Sequence, residues 1–475
     1  MEKCVEKLLT GLGYKVNNKP YEYIKECNEW YENKPIENFH NRTTVQGEPY
    51  EIERIGFAKR GCEDDANLCE LLKIYVKDEL STKKINKVLY DNNFFVMYRK
   101  QLELMSATGT VACYIRLDNA EYLSNGKVRG GELKITYCKA NNYIPLTVVN
   151  GNVEEAAFYG TDYVQGKKIL TLVIFTKGAD IENNYLASTY VFRFKDNGEE
   201  EIIKNYWLKL GTIKPFMVMR VAKVNNLSDM QGFGLPKIYN AIPTLKKIDL
   251  ANMILTGDLE RGEKMILTNE IMVPIDRRTG KLREKTPLMK KLFVFLGQDK
   301  LPDAKTVIQE YNPKIRIAEI KEVFELCLSI FSMMFGFGTK KYTFKDGDIT
   351  TATQYIGERQ DAMQDLNKQR AESKKYITDI IKAIMFYSNV FKSENFDIDS
   401  EVCIDFDDSY IEDKQSRIES LRQDAQAFSD IPEFTIQYIM ARFNIDRDSA
   451  IKIYKNKAEE NEDNSDVEEN ESSEE

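Results

Sequence analysis

The stretch Phe335-Gly336-Phe337-Gly338-Thr339-Lys340-Lys341-Tyr342-Thr343-Phe344-Lys345-Asp346-Gly347-Asp348 decides how the chain is organised. An apolar helical pattern ends in its two Phe-Gly pairs. A polar loop with three lysines follows. Thr350-Thr351-Ala352-Thr353-Gln354 then opens about forty residues of helical pattern. Thr351 and Gln354 fit a capping box, in which each side chain satisfies a backbone N–H that the first helical turn leaves orphaned. On local pattern alone the loop is a solvated connection between two helices, and its meaning depends on what flanks it.

Upstream, Ile317 to Phe335 reads as a rod, with Ile317, Ile320, Phe324, Cys327/Leu328, Phe331 and Met334 on one stripe. Before it, residues 266–315 form a small unit with strand-like pieces at Ile271–Ile275 and Leu292–Leu296 and a turn at Asp276-Arg277-Arg278-Thr279-Gly280. Before that, a helix is expected from about Ala241 to Gly262, with Leu245, Ile248, Asn252, Leu255 and Leu259 on one stripe and Pro243 in its first turn. Such a helix is about 30 Å long. Two rods therefore flank an inserted unit, and the loop follows the second rod. Downstream of the long helix, Val402–Phe406 reads as a strand and residues 409–457 as two or three short helices, one starting at Ile431-Pro432-Glu433.

The N-terminal part has two textures. Residues 1–105 read as helices: Tyr21–Tyr31, Ala66–Val76 and 81–104 carry apolar residues at helical spacing, with Trp30 and Tyr31 as core anchors. Residues 106–223 switch to strand patterns at Val111–Leu117, Glu132–Tyr137, Ile144–Val149, Leu170–Thr176, Ser188–Phe194 and Trp207–Leu210. Asn125-Gly126, Gly130-Gly131, Asn150-Gly151 and Asn197-Gly198 separate them as hairpin markers, so a meander-like antiparallel sheet is expected. Gly232-Phe233-Gly234-Leu235-Pro236 punctuates the chain before the first rod. The fold class is α+β.

Composition narrows the chemistry. With 475 residues, two to four structural units are expected, and 42% hydrophobic with 30% charged residues is the balance of a folded soluble protein. Met1-Glu2-Lys3-Cys4-Val5-Glu6-Lys7 lacks the apolar core of a signal peptide, and the longest apolar stretches fall short of the roughly 20 residues that span a bilayer, so cytoplasmic synthesis with no membrane association is expected. The eight cysteines form no C-x-x-C pair and are expected to be free thiols. The net charge of −9 is an average: Glu459 to Glu475 holds ten acidic residues and no basic one, which leaves residues 1–458 at +1. The tail reads as a disordered acidic segment, and the body is too neutral for a bulk cationic nucleic-acid binder.

No G-x-x-x-x-G-K-[ST] occurs, which excludes a P-loop ATPase, and Gly232-Phe233-Gly234 and Gly336-Phe337-Gly338 lack the third glycine of a dinucleotide fingerprint. His40 is the only histidine, so histidine triads and histidine metal sites cannot be assembled within one chain; it is read as structural or surface. The sharpest enzymatic candidate is Asp397, Asp399, Glu401, Asp405, Asp407 and Asp408, since clustered carboxylates can hold two Mg²⁺ for phosphodiester hydrolysis. Against a metal-dependent nuclease, Asp405 and Asp407 also fit the wet face of a strand whose Ile404 and Phe406 point inward. Arg277, Arg278, Lys281, Arg283, Lys285, Lys290 and Lys291, opposed only by Glu284, could contact phosphates or an acidic partner, and so could Lys340, Lys341 and Lys345.

The order of elements, over roughly residues 25–455, resembles the portal (head–tail connector) proteins of tailed bacteriophages that infect Gram-positive bacteria. Tyr342-Thr343-Phe344 with Thr350-Thr351-Ala352-Thr353-Gln354 is similar to that family's TFxF…KTATEV segment, departing at Gln354 and Tyr355, where Glu and Val are usual. Gly234-Leu235-Pro236-Lys237-Ile238-Tyr239 through Leu245-Lys246-Lys247-Ile248-Asp249 and on to Arg261–Lys264 resembles its first stem helix, which would enter a clip near Met265. Ile404-Asp405-Phe406-Asp407-Asp408-Ser409 followed by Glu412-Asp413-Lys414 resembles its strand and helix before the crown.

The resemblance implies a portal-type fold: a helical and β wing (1–235), stem helix 1 (236–265), a small α/β clip (266–315), stem helix 2 (316–337), a tunnel loop (338–349), a long kinked wing helix with a return strand (350–408), a helical crown (409–457) and the acidic tail (458–475). It implies a homo-oligomeric ring of about twelve subunits at one capsid vertex of the virion, assembled in the host cytoplasm and passing double-stranded DNA. Its partners would be the terminase large subunit, head–tail adaptor proteins, scaffold and major capsid protein. Lys340, Lys341 and Lys345 become DNA contacts of the loop, and the seven clip basics a docking surface. No cofactor, metal or enzyme activity is implied. The runners-up are the nuclease and a phage structural protein without a channel.

Overall fold

The computed structural model describes residues 2–122, 128–129, 131–178, 184–194, 200–262, 265–268, 293–295, 308–338, 341–342, 352–407, 414–428, 431–443, 445, 447 and 449–455. The chain divides into two compact units, Met1–Asp405 and Phe406–Glu475. Helices and strands are mixed throughout the first, so the fold is α+β.

The first unit is built around two antiparallel sheets. Tyr143–Val149, Asn152–Val164, Lys167–Lys177, Tyr185–Phe194 and Glu200–Gly211 pair in chain order as a meander. Asn150-Gly151 turns the first hairpin with both residues at positive φ (48° and 77°), as its sequence implies. Gln165-Gly166 turns the next one the same way (50° and 75°), a turn that glutamine does not advertise. The second sheet has the order Phe216–Arg220, Thr110–Asp118, Glu132–Lys139, so the chain leaves it, builds the meander and returns.

The period-2 pattern covers both faces of the meander. Leu170, Leu172 and Ile174 pack on Cys4, Val5 and Leu9 of α1 (Lys3–Gly11). The opposite face meets the second sheet through Tyr114, Phe158, Phe175 and Phe216, with Tyr114 and Phe158 centroids 5.2 Å apart and Phe175 and Phe216 5.7 Å apart. Such a cluster combines large apolar burial with offset and edge geometries.

Helices surround this core: α2 (Lys19–Tyr31), α3 (Phe57–Asn67), α4 (Glu79–Asp91), α5 (Phe94–Thr108), α6 (Lys237–Arg261), α7 (Ile317–Phe335) and α8 (Ala352–Lys392). The α7 and α8 limits agree with the sequence to within a residue. The 41 residues of α8 bury Tyr376, Ile377, Ile380, Ile381 and Ile384 near its C-terminal end. Trp30 is buried as expected. His40 is fully buried and structural: its Nδ1 accepts the Ile36 N–H (2.8 Å), which puts the ring proton on Nε2, 3.1 Å from Asp249 Oδ2. Burial pushes the Asp249 carboxyl up, while the His40 contact and the Ile55 N–H pull it back.

Two sequence readings are corrected. Ala66–Val76 is not a helix: α3 ends at Asn67, and Leu71–Val76 is a strand pairing with Val402–Phe406. Its apolar residues fit both periods, and a strand 330 positions away supplies the ladder. Pro243 does not sit in the first turn, because α6 begins at Lys237 and carries Pro243 in its interior. The missing N–H leaves the Tyr239 carbonyl without its usual partner. In the inserted unit, Met265–Thr268 pairs with Phe293–Phe295 and Ile308–Tyr311; the expected strand at 271–275 lies outside the described residues, as do the Asn125-Gly126 and Asn197-Gly198 turns and the acidic tail.

The second unit holds α9 (Lys414–Ala427) and α10 (Pro432–Phe443), with Pro432 opening α10 where its absent N–H costs nothing. Its core is Ile436, Ile439 and Ala450.

The Gly-Phe-Gly-Leu-Pro stretch is more than punctuation. Gly109 ends α5 at φ +80°, and a Cβ there would come within 2.2 Å of the Gly234 carbonyl oxygen. A Cβ on Gly234 would meet Gly109 O at 2.4 Å, so the two backbones cross in contact. Thr110 Oγ1 accepts the Gly234 N–H across this crossing (2.8 Å). Gly109→Ala is expected to cost at least about 3 kcal/mol in denaturant unfolding, whereas Gly151→Ala, equally at positive φ but in open space, costs about 1 kcal/mol.

Candidate functional site

Helices α6 and α7 pack along one another, and their ends next to the inserted unit are fastened together. Arg316 Nε and Nη2 donate to the two oxygens of Asp258 at 2.9 and 2.8 Å, a two-pronged pair that fixes orientation. Beside it, a Cβ on Gly262 would meet Ile315 Cγ1 at 2.8 Å, so glycine permits the close approach. Along α6 burial falls away towards this end: Ile242, Leu245 and Ile248 are buried, while Ile254 and Leu259 are exposed, so its expected stripe is covered at one end only. The α7 stripe is buried from Ile320 through Phe324, Cys327, Leu328 and Phe331, with only Ile317 exposed at its start; Val323, Leu326 (63% accessible) and Met333 lie off that stripe and are exposed.

The covered end is anchored by a buried ion pair. The Lys237 ammonium, at the start of α6, donates to Asp65 Oδ1 at 2.5 Å, and Ser106 Oγ donates to the other oxygen. Lys237 and Asp65 are both buried. Removing one partner of such a pair strands a charge away from water, at about 3–5 kcal/mol.

The base of the lysine loop lies against the same helix α3. Helix α7 ends in a Schellman motif: Gly336 at φ +89° donates its N–H to Met333 O (3.1 Å), and Phe337 N–H donates to Ser332 O (3.0 Å). Lys223 Nζ donates to Met334 O at 3.0 Å and lies 3.2 Å from Asp365 Oδ2, which ties the helix end to α8. Phe57, Phe331, Phe335, Phe337 and Tyr342 form one aromatic cluster, with Phe331 and Tyr342 centroids 5.7 Å apart. Gly61 in α3 makes room for it, since a Cβ there would overlap Phe331 and Phe335 at 2.8 and 2.9 Å. The Tyr342 hydroxyl donates to Asp64 Oδ2 (2.7 Å), and Arg60 holds the same carboxylate (2.9 Å). Burial, and then the Asp64 carboxylate, push the Tyr342 phenol up, so it remains a donor. Entry to the loop at 336–338 and its residues 341–342 are therefore pinned.

The sequence candidates divide as follows. Lys341 places its ammonium 6.0 Å from the Phe337 ring centroid, at the rim of the cluster. Lys340 and Lys345 lie outside the described residues, as do Arg277, Arg278, Lys281, Arg283, Lys285, Lys290 and Lys291. The carboxylate candidates are not brought together. Asp397 folds back on its own turn, accepting from Asp399 N–H (3.2 Å) and Ser400 Oγ (2.9 Å). Asp405 lies on the strand beside Tyr75, whose phenol it pushes up. Asp408 lies outside the described residues, and among the described residues no group of three His, Cys, Asp or Glu could hold a metal ion. Sequence reasoning missed Gly61, Asp64, Asp65, Lys223 and Asp365, and named Lys237 only within the stem-helix motif, without its ion-pair role. Each acts through a partner distant in the chain, and no local pattern marks it.

Three comparisons bear on these features. The profile of the family described as "Phage portal protein, SPP1 Gp6-like" matches residues 17–464. A solved structure titled "Neck of native GTA particle computed with C12 symmetry" resembles the chain at 10% identity and a TM-score of 0.37, covering 80% of this chain and 89% of that one. Comparison with curated proteins found no match.

At the loop base, Gly336→Ala is expected to cost about 2–3 kcal/mol in unfolding, because a Cβ would meet Asp365 Oδ2 at 2.2 Å on top of the positive-φ strain. In an Asp365→Ala background the penalty should shrink to the roughly 1 kcal/mol of the strain alone, a coupling that a double-mutant cycle reads directly.

Proposed function

Because this chain belongs to the SPP1 Gp6-like phage portal family, whose profile spans nearly all of it, we propose that it is the subunit of a ring-shaped channel at one capsid vertex of the virion, through which double-stranded DNA is packaged, retained and ejected. About twelve copies form the ring. The terminase large subunit docks during packaging and head–tail adaptor proteins afterwards, with scaffold and major capsid protein around the ring.

The observation that carries this reading is the set of exposed apolar residues on the helix pair, off the buried stripe of α7 and at the far end of α6. Ile254 and Leu259 of α6 and Ile317, Val323, Leu326 and Met333 of α7 are exposed in the single chain. Apolar residues concentrated on one element mark a surface that another molecule covers. A ring supplies that cover identically for every subunit, by a head-to-tail contact that closes on itself.

The remaining features suit a channel. A phosphate contact strengthens DNA binding through counterion release, and a ring multiplies each contact by the subunit number. With residues 1–458 at a net +1, the body does not hold DNA by bulk charge. Lys340, Lys341 and Lys345 restrict cationic contact to one loop whose base is braced by the α3 aromatic cluster. The seven basics at 277–291 serve protein docking at the inserted unit. The chain does no ATP hydrolysis or phosphodiester cleavage itself; the motor supplies the work.

Negative-stain images of the purified protein should show closed rings with an axial hole; a species that is monomeric at all concentrations would refute the proposal. Val323→Glu with Leu326→Glu should abolish rings while the far-ultraviolet circular dichroism of the monomer is kept, since both residues are exposed. Neutralising Lys340, Lys341 and Lys345 together should leave rings intact but lower DNA packaging or retention, and loss of rings in that variant would make the loop an intersubunit contact instead.

A further inference from the structure

A two-stranded ribbon before α3 covers nothing in its own chain. Asn41–Thr43 pairs antiparallel with Pro49–Glu51, and neither strand pairs with another among the described residues. Every residue from Asn41 to Glu51 is exposed except the half-buried Tyr50, and Val45 at the tip is fully exposed. A lone hairpin of this kind is at best marginally stable in water. Its turn is nevertheless defined: Thr44 N–H donates to Glu48 O (2.8 Å), Gly47 N–H to Thr44 O (2.9 Å) and Glu48 N–H to Thr44 Oγ1 (3.0 Å). The charges near its root are met within the chain, since Arg42 Nε donates to Phe39 O (3.3 Å) and Arg54 holds Glu51.

The root itself is fixed. Phe39, His40 and Ile52 are buried, and Ile52 N–H donates to His40 O (2.9 Å) across the base. Asp249 of α6 accepts from His40 Nε2 and from Ile55 N–H, both at 3.1 Å. Glu53 accepts from Asn252 Nδ2 (3.3 Å) and Thr256 Oγ1 (2.9 Å) of the same helix. The tip is therefore held in a defined place beside α6.

The exposed apolar residues of the helix pair lie on a different side. At about 100° per residue, Ile254 sits about 140–160° around α6 from Asp249, Asn252 and Thr256. Leu326 sits about 140–160° around α7 from the buried Phe324 and Phe331. The two surfaces nevertheless share a level. Measured from the Arg316–Asp258 fork at 1.5 Å per residue, the root spans about 3–14 Å, and Ile254, Val323 and Leu326 span about 6–15 Å. Charge matches as well. Glu48 is the acidic residue of the tip, and the exposed Lys247 lies two turns before Ile254 on the same side of α6.

We propose that the hairpin of each subunit lies across the α6–α7 pair of the next subunit, with Val45 on Ile254, Val323 and Leu326 and Glu48 towards Lys247. This rests on the ring reading and names the two halves of its contact. A head-to-tail contact joins two different surfaces of one chain, and a rotation axis running along the helix pair brings equal levels together. The arm and the apolar side meet both conditions. A hairpin paired with its own copy would close as a two-fold dimer and leave Ile254 and Leu326 uncovered, and so would a different protein on the arm.

The test mixes two full-length variants, Val45→Cys and Leu326→Cys, each carrying Cys403→Ser because the other seven cysteines are buried. The mixture is dissociated, reassembled and treated with a short bismaleimide. Crosslinks are read by electrophoresis, and the same sample is imaged by negative stain. Rings should be present, and a crosslinked dimer should form in the mixture but in neither variant alone. Val45→Glu, at a position exposed in the single chain, should raise the concentration at which half the subunits are in rings at least about tenfold. Rings without the mixed crosslink, or unchanged assembly of V45E, would overturn this contact and leave the ring reading standing. A crosslink in Val45→Cys alone would show hairpins paired with each other and also overturn it. Monomers at every concentration would overturn the ring reading and this contact together.

Discussion

The contact between Lys237 and Asp65 holds together the elements on which the rest depends. A lysine ammonium and a carboxylate are both withdrawn from water, at the start of α6 and in α3, with Ser106 of α5 completing the second oxygen. A buried pair of this kind adds little net stability over a well-packed apolar one, but it is strict about geometry, because any arrangement that separates the charges is costly. It therefore sets where α6 begins relative to α3. Helix α3 carries Gly61 and Asp64 within one turn of Asp65, so the same placement receives the α7 aromatics and Tyr342.

The loop and the helix pair follow from that anchor. At the covered end, glycine at 61 and 336, the Schellman closure and the Lys223–Asp365 tie fix the points between which the lysine loop is strung. At the far end, the Arg316–Asp258 fork holds the two helices together; Leu259 and Ile317 are exposed there, while Ile320 and Phe324 are buried. The α7 stripe is thus finished within the chain, while Val323, Leu326 and Met333 off that stripe, with Leu259 of α6, leave apolar surface on the pair uncovered in the single chain.

The double-sheet region has a different logic. Its core is aromatic and closed on both faces near the meander's middle strands, where α1 and the second sheet lie. Cover thins towards Glu200–Gly211, where Trp207 is exposed.

Much of the architecture was legible in the sequence. Ile317–Phe335 and Val402–Phe406 were readable to the residue, and Ala352–Lys392 nearly so, because the relevant physics there is local: apolar spacing and a glycine stop act between residues a few positions apart. The order of rod, inserted unit, rod and loop, and with it the family, was legible for the same reason. Tertiary structure alone decided the rest. Leu71–Val76 became a strand because Val402–Phe406 paired with it, Pro243 entered a helix interior because α6 begins at the buried Lys237, and the carboxylates at 397–407 were spread among separate turns and strands. Asp65 and Lys237 are 172 residues apart, and Gly109 and Gly234 touch through backbone alone. Contacts of that range leave no periodic trace in a single sequence, since the chain's local preferences are the same whether the partner arrives or not.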